Sequence, residues 1–70
     1  MKREELISKV VQEGERKYSS PYVEEFVLNV AGREFRVVLR RALGGRKLPP
    51  ILQEKREGKW EKVALEEIGL

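Results

Sequence analysis

Apolar residues near the N-terminus recur with a helical period. Six small or apolar side chains fall at i, i+1, i+4, i+5, i+8 and i+12, namely Leu6, Ile7, Val10, Val11, Gly14 and Tyr18. This single stripe predicts an amphipathic helix over residues 2–17. Gly14 lies on the stripe and marks either the helix end or a close approach to a sheet. We expect Ser19-Ser20-Pro21 to end the helix, because a residue that precedes proline disfavours the α conformation.

The pattern then changes to alternation over residues 22–30 and 33–41, which predicts a β-hairpin. The alternating apolar positions are Phe26, Leu28 and Val30 in the first segment and Phe35, Val37 and Leu39 in the second. A turn at Ala31-Gly32 pairs residues whose numbers add up to 63 and brings all six to one face. The opposite face mixes apolar and charged residues, which indicates partial cover.

A loop over residues 42–50 leads to a second predicted hairpin, residues 51–56 and 59–64, that turns at Glu57-Gly58. Its register has two solutions. A register in which paired numbers add up to 115 places Leu52 opposite Val63. A register of 116 places Lys55 opposite Glu61, and the charges prefer this second solution.

These elements predict an α+β fold in a single domain spanning residues 1–70. The N-terminal helix packs on an antiparallel sheet of about four strands in two hairpins. We expect residues 66–70 to form a short C-terminal helical turn, with Ile68 and Leu70 against the core. A chain of this length buries only roughly 60% of its unfolded surface, so an oligomer or a bound partner would add to its stability.

The composition closes most routes to catalysis. The chain has no His, no Cys and no Asp. Imidazole bases, thiolate nucleophiles and Cys- or His-based metal sites are therefore excluded. Glu24 and Glu25 are adjacent, but consecutive strand residues point to opposite faces and do not converge on one substrate. We expect a protein that is not an enzyme and has no metal or other cofactor.

The abundance of Glu, Lys and Arg, with few Asn and Gln, is typical of thermophilic proteins. A designed protein without function would share this composition, but the Ser19-Ser20-Pro21 segment and residues 41–50 are irregular rather than idealised. No targeting signal is visible, and no apolar run is long enough to span a bilayer. We expect a cytoplasmic location without membrane association.

Positive charge is concentrated in the second half of the chain. The net charge is +3, yet residues 36–62 contain nine basic and three acidic residues. Clustered cations attract phosphate backbones through counterion release. The candidate nucleic-acid-binding residues are Arg36, Arg40, Arg41, Arg46, Lys47, Lys55, Lys59, Trp60 and Lys62.

Several of these residues suit an extended strand of nucleic acid. Trp60 lies between lysines on a hairpin and is placed to stack on a base. Arg36 and Arg40 share one strand face and lie roughly 13 Å apart, which suits successive phosphates. The Gly44-Gly45-Arg46-Lys47 segment is a flexible tip for clamping a backbone. Because the helix has balanced charge, single-stranded DNA or RNA is favoured over duplex DNA.

Other interpretations of the same residues remain open. The basic excess is also consistent with a solvated ion-pair surface, and Trp60 with cross-strand packing. Arg40 and Arg41 could pair with Glu24 and Glu25. The alternative function is a protein-interaction or homo-oligomerisation module, in which an exposed strand edge forms a homodimer.

Overall fold

The computed structural model describes all 70 residues and contains one helix and five strands. The elements are α1 (Arg3–Glu13), β1 (Glu15–Ser19), β2 (Val23–Val30), β3 (Arg33–Arg40), β4 (Ile51–Arg56) and β5 (Lys59–Lys62). The strands form one antiparallel sheet whose order follows the chain, from β1 to β5. The predicted α+β class is confirmed. No helix combines the length and the apolar character needed to cross a membrane.

The predicted helix is too long, because it ends at Glu13 and residues 15–19 form a fifth strand. Gly14 causes this change. Its backbone is extended, and its N–H donates to the Val10 carbonyl over 2.8 Å. A Cβ at Gly14 would overlap the Val10 carbonyl oxygen and lie 2.8 Å from that of Val27. Both predicted roles of Gly14 are therefore confirmed, and β1 can pair with β2 directly after it.

The first hairpin has the predicted register, with Leu28 opposite Phe35 and Phe26 opposite Val37. Ala31 and Gly32 both have positive φ angles, 52° and 79°. Positive φ at both central residues is the signature of a type I′ turn, whose twist matches that of the strands. Phe35 and Val37 are consequently buried beneath α1.

In the second hairpin the numbers of paired residues add up to 115. The register of 116, which the charges favoured, is therefore wrong. Lys55 pairs with Trp60, and the Val63 N–H donates to the Leu52 carbonyl over 2.9 Å. Glu57 and Gly58 form another two-residue turn with positive φ angles, 51° and 78°. The turn geometry sets this register, which places Val63 opposite Leu52 on the covered face, where Val63 packs against the core.

The core lies between α1 and one face of the sheet. It consists of Leu6, Val10, Phe35, Val37, Leu52 and Ile68. The predicted burial of Ile68 is confirmed, whereas Leu70 is 39% exposed. Residues 66–70 form no helical turn, because the Ile68 N–H donates to the Met1 carbonyl over 2.8 Å and Glu67 forms a bridge with Lys2. The C-terminal segment is therefore held in place by the N-terminus.

Candidate nucleic-acid interface

The sheet has one face covered by α1 and one face on which no helix packs. Alternation along the strands defines the uncovered side, which we call the open face. On β3, β4 and β5 it comprises Glu34, Arg36, Val38, Arg40, Ile51, Gln53, Lys55, Trp60 and Lys62. Five of the nine candidate residues, Arg36, Arg40, Lys55, Trp60 and Lys62, thus share this face.

The register of the second hairpin separates its charges between the two faces. Glu54 and Glu61 pair with each other on the covered side. Lys55 and Lys62 point to the open face, where neither β4 nor β5 contributes a carboxylate. A register of 116 would instead have set each of these lysines opposite a glutamate. The open face of this hairpin is therefore entirely basic, polar or apolar.

Two arginines neutralise the buried carboxylate on the covered side. Arg33 donates to Glu54 from Nε and Nη2 over 2.8 and 2.9 Å, and Arg56 Nη2 donates over 3.0 Å. The hydrogen bonds from Arg33 are the main reason that the pKa of Glu54 falls to about 2. Arg56 also lies 3.8 Å from Glu61. The basic charge of Arg33 and Arg56 is consequently used within the fold.

Trp60 is half-buried on the open face and lies against Arg36. The Arg36 guanidinium carbon is 4.5 Å from the ring centroid, and Lys55 Nζ is 5.8 Å away. Arg36 Nε donates to Gln53 Oε1 over 2.8 Å, and its Nη1 lies 3.6 Å from Glu25 Oε1. These contacts confirm cross-strand packing of Trp60 and stabilise a cation–π pair. Base stacking by Trp60 stays a prediction.

Most of the basic candidate residues have no acidic partner. Of the eight basic candidates, only Arg36 has a carboxylate oxygen within 4.0 Å. Glu24 pairs with Arg16 over 3.4 Å and Glu25 pairs with Arg36. The alternative interpretation, in which Arg40 and Arg41 pair with these glutamates, is therefore wrong. A surface of mutually neutralised ion pairs does not describe this part of the protein.

The candidates do not all converge. Lys59 lies at the tip of the second hairpin, on the covered face of the sheet. Arg41, Arg46 and Lys47 belong to the loop at the opposite end of the sheet. This loop is closed by a bridge between Arg41 and Lys47 and by the Ala42 N–H, which donates to the Arg46 carbonyl over 2.7 Å. The tip is thus a turn with internal hydrogen bonds, and its flexibility and its role in clamping a backbone stay predictions.

One contributor to the site is not among the sequence candidates. Gln53 lies on the open face between Arg36 and Lys62 and orients the Arg36 guanidinium. A neutral glutamine carries no charge signal, and its position depends on how the two hairpins pair. Only the register between β3 and β4 reveals it.

No protein-family model, curated protein or solved structure shows significant similarity to this chain. No group of three or more carboxylates is close enough together to hold a metal ion. The fold and the site define a small α+β protein with a helix on one sheet face and basic side chains around a tryptophan on the other.

Proposed function

We propose that this protein binds nucleic acid on the open face, with single-stranded DNA or RNA as the preferred form, and without catalysis. One observation carries the proposal. Lys55 and Lys62 have no acidic partner and flank Trp60 on a part of the face that contains no carboxylate. Arg40 adds a third unpaired cation on the neighbouring strand.

The chemistry of a single strand matches this arrangement. Unpaired cations contact phosphates, whereas the Trp60 ring and the Arg36 guanidinium offer planes on which bases stack. Bases in a duplex are hidden in the stack, so a broad sheet face reaches them only in an unpaired strand. The acidic residues of the open face, Glu15, Glu25 and Glu34, lie on β1, β2 and the start of β3. We expect the strand to run over β3 to β5, away from most of this negative charge.

A binding titration tests the proposal. A fluorescently labelled single strand of about 12 nucleotides is titrated with protein, and its anisotropy is followed at about 50 and about 200 mM salt. We expect binding that weakens steeply with salt, by about 0.7 in log–log slope for each phosphate contact. A duplex of the same sequence should bind more weakly. Absence of binding to the single strand at low salt would falsify the proposal.

Matched variants separate a specific face from general basic charge. Lys55→Gln with Lys62→Gln removes two unpaired cations from the open face and should reduce the salt slope by about 1.4. Lys9→Gln with Lys17→Gln removes the same charge from α1 and β1, outside the proposed interface. Equal losses of affinity in the two double variants would show that net charge, rather than the open face, accounts for binding.

Homo-oligomerisation is a second candidate function, supported by exposed apolar side chains. Leu43 and Leu65 are 88% and 70% exposed. The sheet edges argue less for pairing, because all five residues of β1 are exposed, three of them charged, and this strand has a bulge. Light scattering across a concentration series tests this candidate. A particle of constant monomer mass would exclude it.

A further inference from the structure

A cleft of about 450 Å³ lies at one end of the sheet. Its walls are the turn between β1 and β2 and the loop that follows β3. Its lining includes three basic side chains, a tyrosine, a serine and a glutamate, namely Arg40, Arg41, Lys47, Tyr22, Ser19 and Glu24. The volume falls within the range of about 300–1,000 Å³ that is usual for small-molecule sites.

The basic side chains of the cleft lack acidic partners within the protein. Arg40, Arg41 and Lys47 have no carboxylate partner. Arg40 Nε is buried without any hydrogen-bond partner, and Arg40 Nη2 has only a long contact of 3.5 Å to the Pro49 carbonyl. A buried donor without an acceptor is costly. A small movement of the Arg40 guanidinium toward an anion in the cleft would remove this cost.

The single acidic residue in the cleft offsets only part of these charges. Glu24 Oε2 lies 3.4 Å from Arg16 Nη1, an arginine that does not line the cleft, and one carboxylate faces three basic side chains. The electrostatic preference of the cleft is for an anion of more than one charge.

The walls of the cleft are held by backbone hydrogen bonds. The Arg41 N–H donates to the Tyr22 carbonyl over 2.8 Å, and the Leu48 N–H donates to the Arg40 carbonyl over 3.1 Å. Ser20 Oγ accepts from the Val23 N–H over 3.1 Å and fixes the turn. Tyr22 is 52% exposed. Its side chain and the Ser19 hydroxyl thus lie on an ordered wall and are accessible to a ligand.

We propose that this cleft binds the phosphate monoester of a nucleotide, with Arg40, Arg41 and Lys47 on the phosphate and Tyr22 against the base. A phosphate monoester carries nearly two negative charges and three acceptor oxygens near neutral pH, which suits a cluster of donors. The nucleotide is either free or the phosphorylated end of a strand on the open face, since Arg40 belongs to both surfaces. Binding of a free nucleotide is tested without a strand and does not depend on the proposed function, whereas binding of a strand end rests on it.

Two titrations distinguish these sources. In the first, AMP, adenosine and inorganic phosphate are added to ¹⁵N-labelled protein, and the amide signals of Ser19, Tyr22, Arg41 and Lys47 are followed. We expect saturable shifts with AMP, weaker ones with phosphate and the weakest with adenosine. In the second, labelled strands carry a 5′-phosphate, a 3′-phosphate or hydroxyl ends. If the phosphorylated end of a strand is the ligand, one of the phosphorylated strands should bind about tenfold more tightly.

Matched variants assign the effect to the cleft. Arg41→Gln with Lys47→Gln changes two exposed side chains and should abolish the AMP shifts and the preference for a phosphorylated end. Lys9→Gln with Lys17→Gln, which lie outside both the cleft and the open face, should retain both. An AMP response without a preference for strand ends assigns the cleft to free nucleotides, and the converse assigns it to strand termini. If AMP acts no differently from adenosine and no phosphorylated end is preferred, the inference is overturned, whether or not unphosphorylated strands bind the open face.

Discussion

Glu54→Gln tests the balance of charge beneath the sheet, because it removes a negative charge and keeps the shape of the side chain. Glu54 is only 6% exposed and accepts three hydrogen bonds, two from Arg33 and one from Arg56. A glutamine accepts such bonds less strongly and leaves the charge of both arginines without its main partner. We expect the variant to fold with lower stability.

The pKa of Glu54 sets the size of this effect. Its fall from 4.5 to about 2 corresponds to at most about 3 kcal/mol of stabilisation of the charged form. Solvent weakens the interaction, because the side chains of Arg33 and Arg56 are 32% and 59% exposed. We therefore expect a net contribution of about 1–2 kcal/mol.

The sign of the pH dependence follows from the direction of the pKa change. Because folding lowers the pKa of Glu54, its contribution is fully present above pH 4.5 and is lost as the pH falls from 4.5 toward about 2. The native protein and the Gln variant should therefore differ in unfolding free energy at about pH 7 and converge near pH 2.

Urea unfolding followed by Trp60 fluorescence measures this difference across the pH range. Glu66→Gln is the matched control, because Glu66 is an exposed glutamate without an ion-pair partner. Its unfolding free energy should follow that of the native protein at every pH. A gap between the native protein and Glu54→Gln that stays constant from about pH 7 to about pH 2 would refute the reasoning.

Three further substitutions have defined outcomes. Gly14→Ala should cost more than about 2 kcal/mol in urea unfolding, because its Cβ would meet the Val10 and Val27 carbonyls, and an unchanged midpoint would contradict this. Ala31→Asn should raise the unfolding free energy by about 0.5–1 kcal/mol, because Asn tolerates the φ of 52° at this turn better than Ala, and a lower melting temperature would contradict it. Arg36→Ala should increase acrylamide quenching of Trp60, whereas Arg40→Ala on the same strand face should not, since of these two arginines only Arg36 contacts the ring.

The first hairpin shows where sequence reasoning is sufficient. Alternation over residues 22–30 and 33–41 and the Ala31-Gly32 turn specify the same pairing, and every pair of the register follows. In the second hairpin the charges favour one strand register and the turn favours another. A two-residue turn and the packing of Val63 against the core outweigh the pairing of exposed lysines with glutamates, because exposed ion pairs contribute little.

Strand β1 shows where the sequence carries too little signal. All five of its residues are exposed and no apolar alternation marks it. Its structure depends on pairing with β2, which is a tertiary contact, and on the end of the helix at Gly14. The helical spacing of Tyr18 from Gly14 is therefore coincidental.

The candidate site depends on a register that the sequence leaves open. The basic stretch over residues 36–62 is visible in the sequence, but the faces on which the β5 side chains lie, Trp60 and Lys62 among them, follow from the turn at Glu57-Gly58. That turn sets Glu54 opposite Glu61, a like-charge pair that the covered side tolerates because Arg33 and Arg56 lie beside it. The same register leaves Lys55 opposite Trp60 rather than a glutamate. The contact between Arg56 and Glu61 on the covered side and the pairing of Lys55 with Trp60 on the open face are thus two consequences of one turn. An extra residue in this turn should disturb both together.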